Sequence, residues 1–148
     1  MIRRLGAITA ALLAASVAVG CSSKSDPPQS GPQTTTIEVS YDDLLNQKNI
    51  TRTLALKVGD TLQVSLGSNP STGFSWARQM QNANAAVLVQ TGHEALAPST
   101  ARPGAAASEV WALQAMAPGT TTVSTTYGRP WPGGEKDSWT FVANVTVS

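Results

Sequence analysis

Few side chains in this chain could carry covalent or acid–base chemistry. There is one histidine, His93, and one cysteine, Cys21. A Ser–His or Cys–His nucleophile needs a base and an orienting group brought to it, and a single histidine with no accompanying motif does not supply them. His93 falls near the end of a predicted strand and reads as a surface or strand-end residue. Asp42 and Asp43 are adjacent acids in a polar stretch, which solvation explains, and no calcium-loop or zinc-ligand spacing occurs. A lone cysteine allows neither an intrachain disulfide nor a thiolate metal cluster. The expectation is a protein that is not an enzyme and holds no metal or cofactor.

Recognition chemistry is better represented, in two stretches. The first is Asn69-Pro70-Ser71-Thr72-Gly73-Phe74. Pro70 sets its own φ and moves Asn69 out of the helical region. Gly73 permits a positive φ where the chain re-enters a strand. Asn69, Ser71 and Thr72 have short side chains that bond back to nearby backbone. Such a loop is stiff and has little entropy left to lose on binding. The second is Tyr127-Gly128-Arg129-Pro130-Trp131, followed by Pro132. A Trp between two prolines, next to an Arg, suits a preorganised anchor, because Trp and Arg are enriched in binding hot spots. The plain alternatives are a hairpin turn for the first stretch and, for Trp131, a cap on the open end of a sandwich.

These stretches have to be carried by strands. Residues 61–66 alternate Leu62, Val64 and Leu66 with Thr61, Gln63 and Ser65, and residues 138–147 alternate in the same way. That period of two marks a sheet with one wet face. Further strands are predicted at 34–40, 51–58, 74–78, 87–94, 109–116 and 121–126, with turns at Gly59-Asp60 and Pro118-Gly119. Residues 41–49 fit either a short helix or a hairpin loop, and 79–86 a loop with a helical turn. Residues 95–108 form a long connection of the kind that is functional or disordered. Trp76, Trp111 and Trp139 sit on strands and read as core or sheet-face residues. Seven to eight short strands and no amphipathic helix give an all-β fold, an immunoglobulin-like sandwich without the disulfide.

Arg3 and Arg4 precede an apolar run, 5–19, that is short for a membrane span, and the run ends Ala18-Val19-Gly20-Cys21. This resembles a bacterial lipoprotein signal, with Ala18 standing where Leu is commonest. The resemblance implies a signal peptide over residues 1–20 and a diacylated Cys21 as the new N-terminus. Residues 22–33 are polar and rich in Ser, Pro and Gly, so 21–33 is expected to be a lipidated, flexible tether. The folded domain is then 34–148, and the expected location is the bacterial cell membrane, lipid-anchored and facing the periplasm or the exterior. Removing residues 1–20 leaves eight basic side chains against nine acidic ones. That balance provides no basic footprint for nucleic acid.

The two recognition stretches, in this order, resemble those of the chagasin-like inhibitors of papain-family cysteine peptidases, peptidase inhibitor family I42. Val58-Gly59-Asp60-Thr61, Pro118-Gly119-Thr120 and Phe141 extend the resemblance over roughly residues 51–148. It implies a monomeric, reversible inhibitor that inserts three loops into the peptidase cleft. The first loop would be Asn69, Pro70, Ser71, Thr72, Gly73 and Phe74, across the catalytic Cys/His region. The third would be Arg129, Pro130 and Trp131, on the primed side. The second would be Gly104, Ala105 and Ala106, with alanines where the family has glycines. That substitution supports a second expectation: an envelope lipoprotein that keeps the sandwich as a binding or structural module and has no peptidase target.

Overall fold

The computed structural model describes residues 31–148 apart from Ser99, Ala101, Pro103 and Asp137. The expected signal peptide, Cys21 and tether residues 22–30 lie outside the described residues. Among the described residues, nine strands and one short α-helix follow in order: β1 (Thr34–Val39), α1 (Tyr41–Asn46), β2 (Asn49–Leu56), β3 (Thr61–Ser68), β4 (Ser75–Trp76), β5 (Gln81–Asn82), β6 (Leu88–Leu96), β7 (Ala107–Ala115), β8 (Gly119–Gly128) and β9 (Trp139–Val147). One sheet has the order β1-β3-β7-β6 and the other β2-β9-β8-β4, with β5 also on β8. β1 runs parallel to β3 and β2 parallel to β9, while the other pairs are antiparallel. The expected all-β sandwich is the fold observed, with nine strands because the two-residue β5 forms within the stretch 79–86.

The alternating residues fill the space between the sheets. Leu62, Val64 and Leu66 face Trp111 and Leu113 within one sheet and meet Val123, Phe141, Ala143 and Val145 from the other, all buried. Burying apolar surface at about 25 cal/mol per Å² is the main term holding such a sandwich together. Every residue of this core comes from Gly31–Ser148, which forms one contact unit.

Several boundaries differ from the sequence expectation. Residues 41–49 resolve into α1 and the start of β2. Ser40 caps α1: its Oγ accepts from Asp43 N at 3.1 Å and donates to Asp43 Oδ2 at 2.7 Å. Such a cap is worth about 1 kcal/mol. α1 lies against β3 at Gly67, where a Cβ would overlap the Tyr41 backbone. The 74–78 strand shrinks to Ser75–Trp76, 79–86 holds β5 and no helix, and the long connection shortens to 97–106.

The direction of β3 defines two poles. Its start, Thr61, lies beside Thr34 of β1, so the start of β1 and the β2–β3 turn share one pole. Gln33, expected in the tether, is already tied down there. Its N donates to Asp60 Oδ1 at 2.9 Å and its carbonyl accepts from Thr61 N at 2.8 Å. Asp60 Oδ2 also accepts from Lys57 N at 2.9 Å. The N–H groups of Gln33 and Lys57 hold the Asp60 carboxyl below its ordinary value of 3.8. A depressed folded-state value stabilises the fold above the unfolded pKa, and that contribution is lost as pH falls through the folded value. Asp60→Asn should therefore lower the melting temperature at pH 7, and the gap to wild type should narrow below pH 3.8. Thermal melts across that range check this, and a gap independent of pH would show that the charge contributes nothing.

Candidate functional site

The far end of β3 leads into the first loop. Pro70–Thr72 forms a single 3-10 turn with Asn69 as its N-cap and Gly73 as its left-handed C-cap, φ 77°. Asn69 Oδ1 accepts from Ser71 N at 3.3 Å and Ser71 Oγ at 2.6 Å. Thr72 Oγ1 donates to Asn69 O at 2.7 Å, and Gly73 N to Pro70 O at 3.1 Å. The local chemistry expected of these residues is the chemistry observed, and each bond shortens the list of conformations the loop can reach.

Long-range bonds then hold the loop in place. Asn69 N donates to Tyr127 Oη at 2.9 Å, so the loop stands on a side chain of the opposite sheet. Tyr127 is a buried strand residue, 2% exposed, and not part of a loop tip. Burial pushes its phenol above the ordinary value of 10.0. Asn69 Nδ2 donates to Gly104 O at 3.3 Å, which links the first loop to the second. Gly104 itself has φ 78°, and Ala105 N donates to Arg102 O at 3.1 Å, closing a turn there. Ala106 is exposed beside it.

The third loop closes over the first. Arg129 Nε donates to Thr72 O at 3.3 Å, and its guanidinium lies 4.6 Å from the Phe74 ring centroid and 6.0 Å from that of Trp131. A guanidinium over an aromatic face is worth about 0.5–1 kcal/mol at an exposed site. The Trp131 indole rests on Gly73, where a Cβ would overlap it, and still exposes 48% of its surface. Lys136 Nζ donates to the carbonyls of Arg129 at 2.6 Å and Trp131 at 2.7 Å, and Gly134 N to Trp131 O at 3.0 Å. Pro130 is exposed next to Trp131.

All the residues expected to form the three loops thus gather at one pole, opposite the β2–β3 turn. They do not all present themselves alike. Phe74 is half-buried, with its ring 5.4 Å from Tyr127 and 5.6 Å from Trp139, so it forms the floor of the pole. Sequence reasoning missed Tyr127 and Lys136 as supports, because their partners lie in other loops. It also misplaced His93, which is not a surface residue: its side chain is 9% exposed and pairs with Glu109. Trp76 and Trp111 are core residues as expected, with indole N–H groups bonded to Gly67 O and Arg78 O. Among the described residues no three His, Cys, Asp or Glu side chains could hold a metal ion. The pole has the donors, acceptors and apolar area of a recognition surface.

Residues 55–145 match the model of the chagasin family of peptidase inhibitors, I42. The chain belongs to this family. Chagasin of Trypanosoma cruzi is 33% identical over 101 residues, covering 65% of this chain and 89% of that protein. The fold is shared with the cysteine protease inhibitor EhICP2 of Entamoeba histolytica, with a TM-score of 0.60 at 21% identity over 80% of this chain and all of that one. PbICP-C, solved in complex with falcipain-2, superposes with a TM-score of 0.55 at 18% identity over 78% of this chain and 99% of that one. As a chagasin-family chain this is a peptidase inhibitor and not an enzyme. Its matched region runs from the end of β2 to within β9, so it contains all three loops.

Proposed function

We propose that this chagasin-family protein inhibits papain-type cysteine peptidases reversibly, with the three loops entering the active-site cleft together. The observation that carries the reading is the joining of three sequence-distant loops into one pole, through Asn69 to Gly104, Thr72 to Arg129 and Gly73 to Trp131. Preorganisation reduces the ordering cost of association, so the exposed face of Trp131 can contribute most of its burial to affinity. Asn69, Pro70, Ser71, Thr72 and Gly73 present backbone and small hydroxyls to the catalytic Cys/His region. Phe74 supports them from below, Gly104, Ala105 and Ala106 line one flank, and Arg129, Pro130 and Trp131 the other. The loops carry no thiol, so no disulfide to the peptidase cysteine can form, and the inhibition is non-covalent. The test is titration of residues 31–148 into papain. The expected result is complete inhibition that is reversed by dilution, with no adduct by mass. Papain left fully active would favour the competing reading of an envelope binding module, which rests on Ala105 and Ala106 standing in place of glycines.

The N-terminal signal points to a lipid anchor at Cys21, facing the periplasm or the cell exterior. A diacylated Cys21 should appear as the N-terminal residue in mass spectra of the native protein, and Cys21→Ala should release the protein from the membrane fraction. An unmodified N-terminus at another residue would overturn the anchor.

A further inference from the structure

We infer that Glu109 and His93 are positioning residues that set the first loop relative to the second, an inference that rests on the inhibitor reading above. Glu109 is the third residue of β7, immediately after the second loop, and is 7% exposed. Its Oε2 accepts from Trp76 N at 2.9 Å, and its Oε1 lies 3.0 Å from His93 Nε2. Trp76 belongs to the other sheet and lies three residues past Gly73. His93 is on β6, the strand that enters the second loop. One carboxylate therefore ties the exit of the first loop to both strands that carry the second.

The need for this tie follows from the topology. β4 is two residues long and ends its sheet, so it has a neighbour only at β8. A strand that short does not hold its own place. The Glu109 carboxylate takes the position that a further strand would fill, as acceptor for the Trp76 N–H. A buried carboxylate is costly unless its oxygens are partnered, and here each has one partner. The aromatic packing fixes the partners in turn. The His93 ring lies 5.0 Å from Trp111, Trp111 meets Trp76 edge-on at 6.5 Å, and Trp76 Nε1 donates to Gly67 O at 2.9 Å, one residue before β3 ends. The entry and exit of the first loop are thus held to one cluster beneath it. Neither Glu109 nor His93 reaches the exposed face of the pole, so their effect on a peptidase passes through the loop.

Four variants of the Cys21→Ser chain test the assignment, each measured for papain inhibition, melting temperature and hydrogen exchange at the Thr72 and Gly73 amides. Glu109→Leu is expected to raise the inhibition constant about tenfold or more and to speed exchange at both amides by a similar factor, because the Trp76 N–H loses its acceptor. Glu109→Gln keeps an acceptor and should stay within about threefold of wild type. His93→Phe keeps the packing, loses the bond, and should move both readouts in the same direction as Glu109→Leu, which decides the matter if that variant does not fold. Leu56→Ala, in the core at the opposite pole, should lower the melting temperature and leave inhibition and loop exchange unchanged. Wild-type exchange in a folded Glu109→Leu or His93→Phe chain would overturn the assignment. So would equal loop loosening in Leu56→Ala. A wild-type chain that leaves papain active would overturn the inhibitor reading alone, since the exchange measurements still decide whether Glu109 positions the loop.

Discussion

Gly73→Val is expected to weaken inhibition by about 3 kcal/mol, roughly a hundredfold, and to do so by two separate routes. Gly73 has φ 77°, where a β-branched residue is strained by about 1–3 kcal/mol. The Cβ it would add also falls within the Trp131 indole, so the third loop must shift as well. The variant thus disturbs the first loop directly and dislodges the exposed aromatic of the third. A double-mutant cycle with Trp131→Ala separates the routes. Without the indole the steric part disappears and the φ strain remains, so the two substitutions should be less than additive, with a coupling of about 0.5–3 kcal/mol. Strict additivity would mean that Trp131 does not rest on Gly73 in solution. Because the strain acts on the folded state, the melting temperature should also fall.

Trp131→Ala is expected to raise the inhibition constant about thirtyfold or more, a loss of about 2 kcal/mol, with little effect on folding. The indole is 48% exposed and packs on loop atoms above the core, so its removal leaves the sandwich intact. The melting temperature should fall by only a few degrees, as for a loss of under about 1 kcal/mol in a domain of this size. The loop around it should hold, since Lys136 binds the backbone carbonyl of residue 131 and not its side chain. The alternative role for Trp131, capping the open end of the sandwich, makes the reverse forecast: stability falls first and inhibition only in consequence. Inhibition and melting measured on the one variant distinguish them, and a large stability loss with unchanged inhibition would overturn the wedge.

What the residues determined by themselves is local. The alternation of Leu62, Val64 and Leu66, and of Phe141, Ala143, Val145 and Val147, dictates which face of each strand is buried, because successive side chains point to opposite sides. The bend at Asn69–Gly73 follows in the same way, since a cap, a fixed φ and a left-handed glycine act on bonds spanning three or four residues. Residues 41–49 stayed ambiguous because a six-residue helix has almost no period to read, and what selects it is the Ser40–Asp43 cap together with the gap at Gly67 that accepts its backbone. Alternation says that a strand has a buried face and does not say which strand lies beside it. The parallel pairing of β1 with β3 and of β2 with β9 is therefore a tertiary outcome. So is the pole itself: Asn69 meets Gly104 across 35 residues, Thr72 meets Arg129 across 57, and no propensity reports a bond whose partners are that far apart. The burial of Glu109 and His93 was hidden for the same reason. An acid or a histidine on a half-buried strand belongs to solvent by its type, and only a partner brought in by the other sheet and the neighbouring strand lets it stay inside.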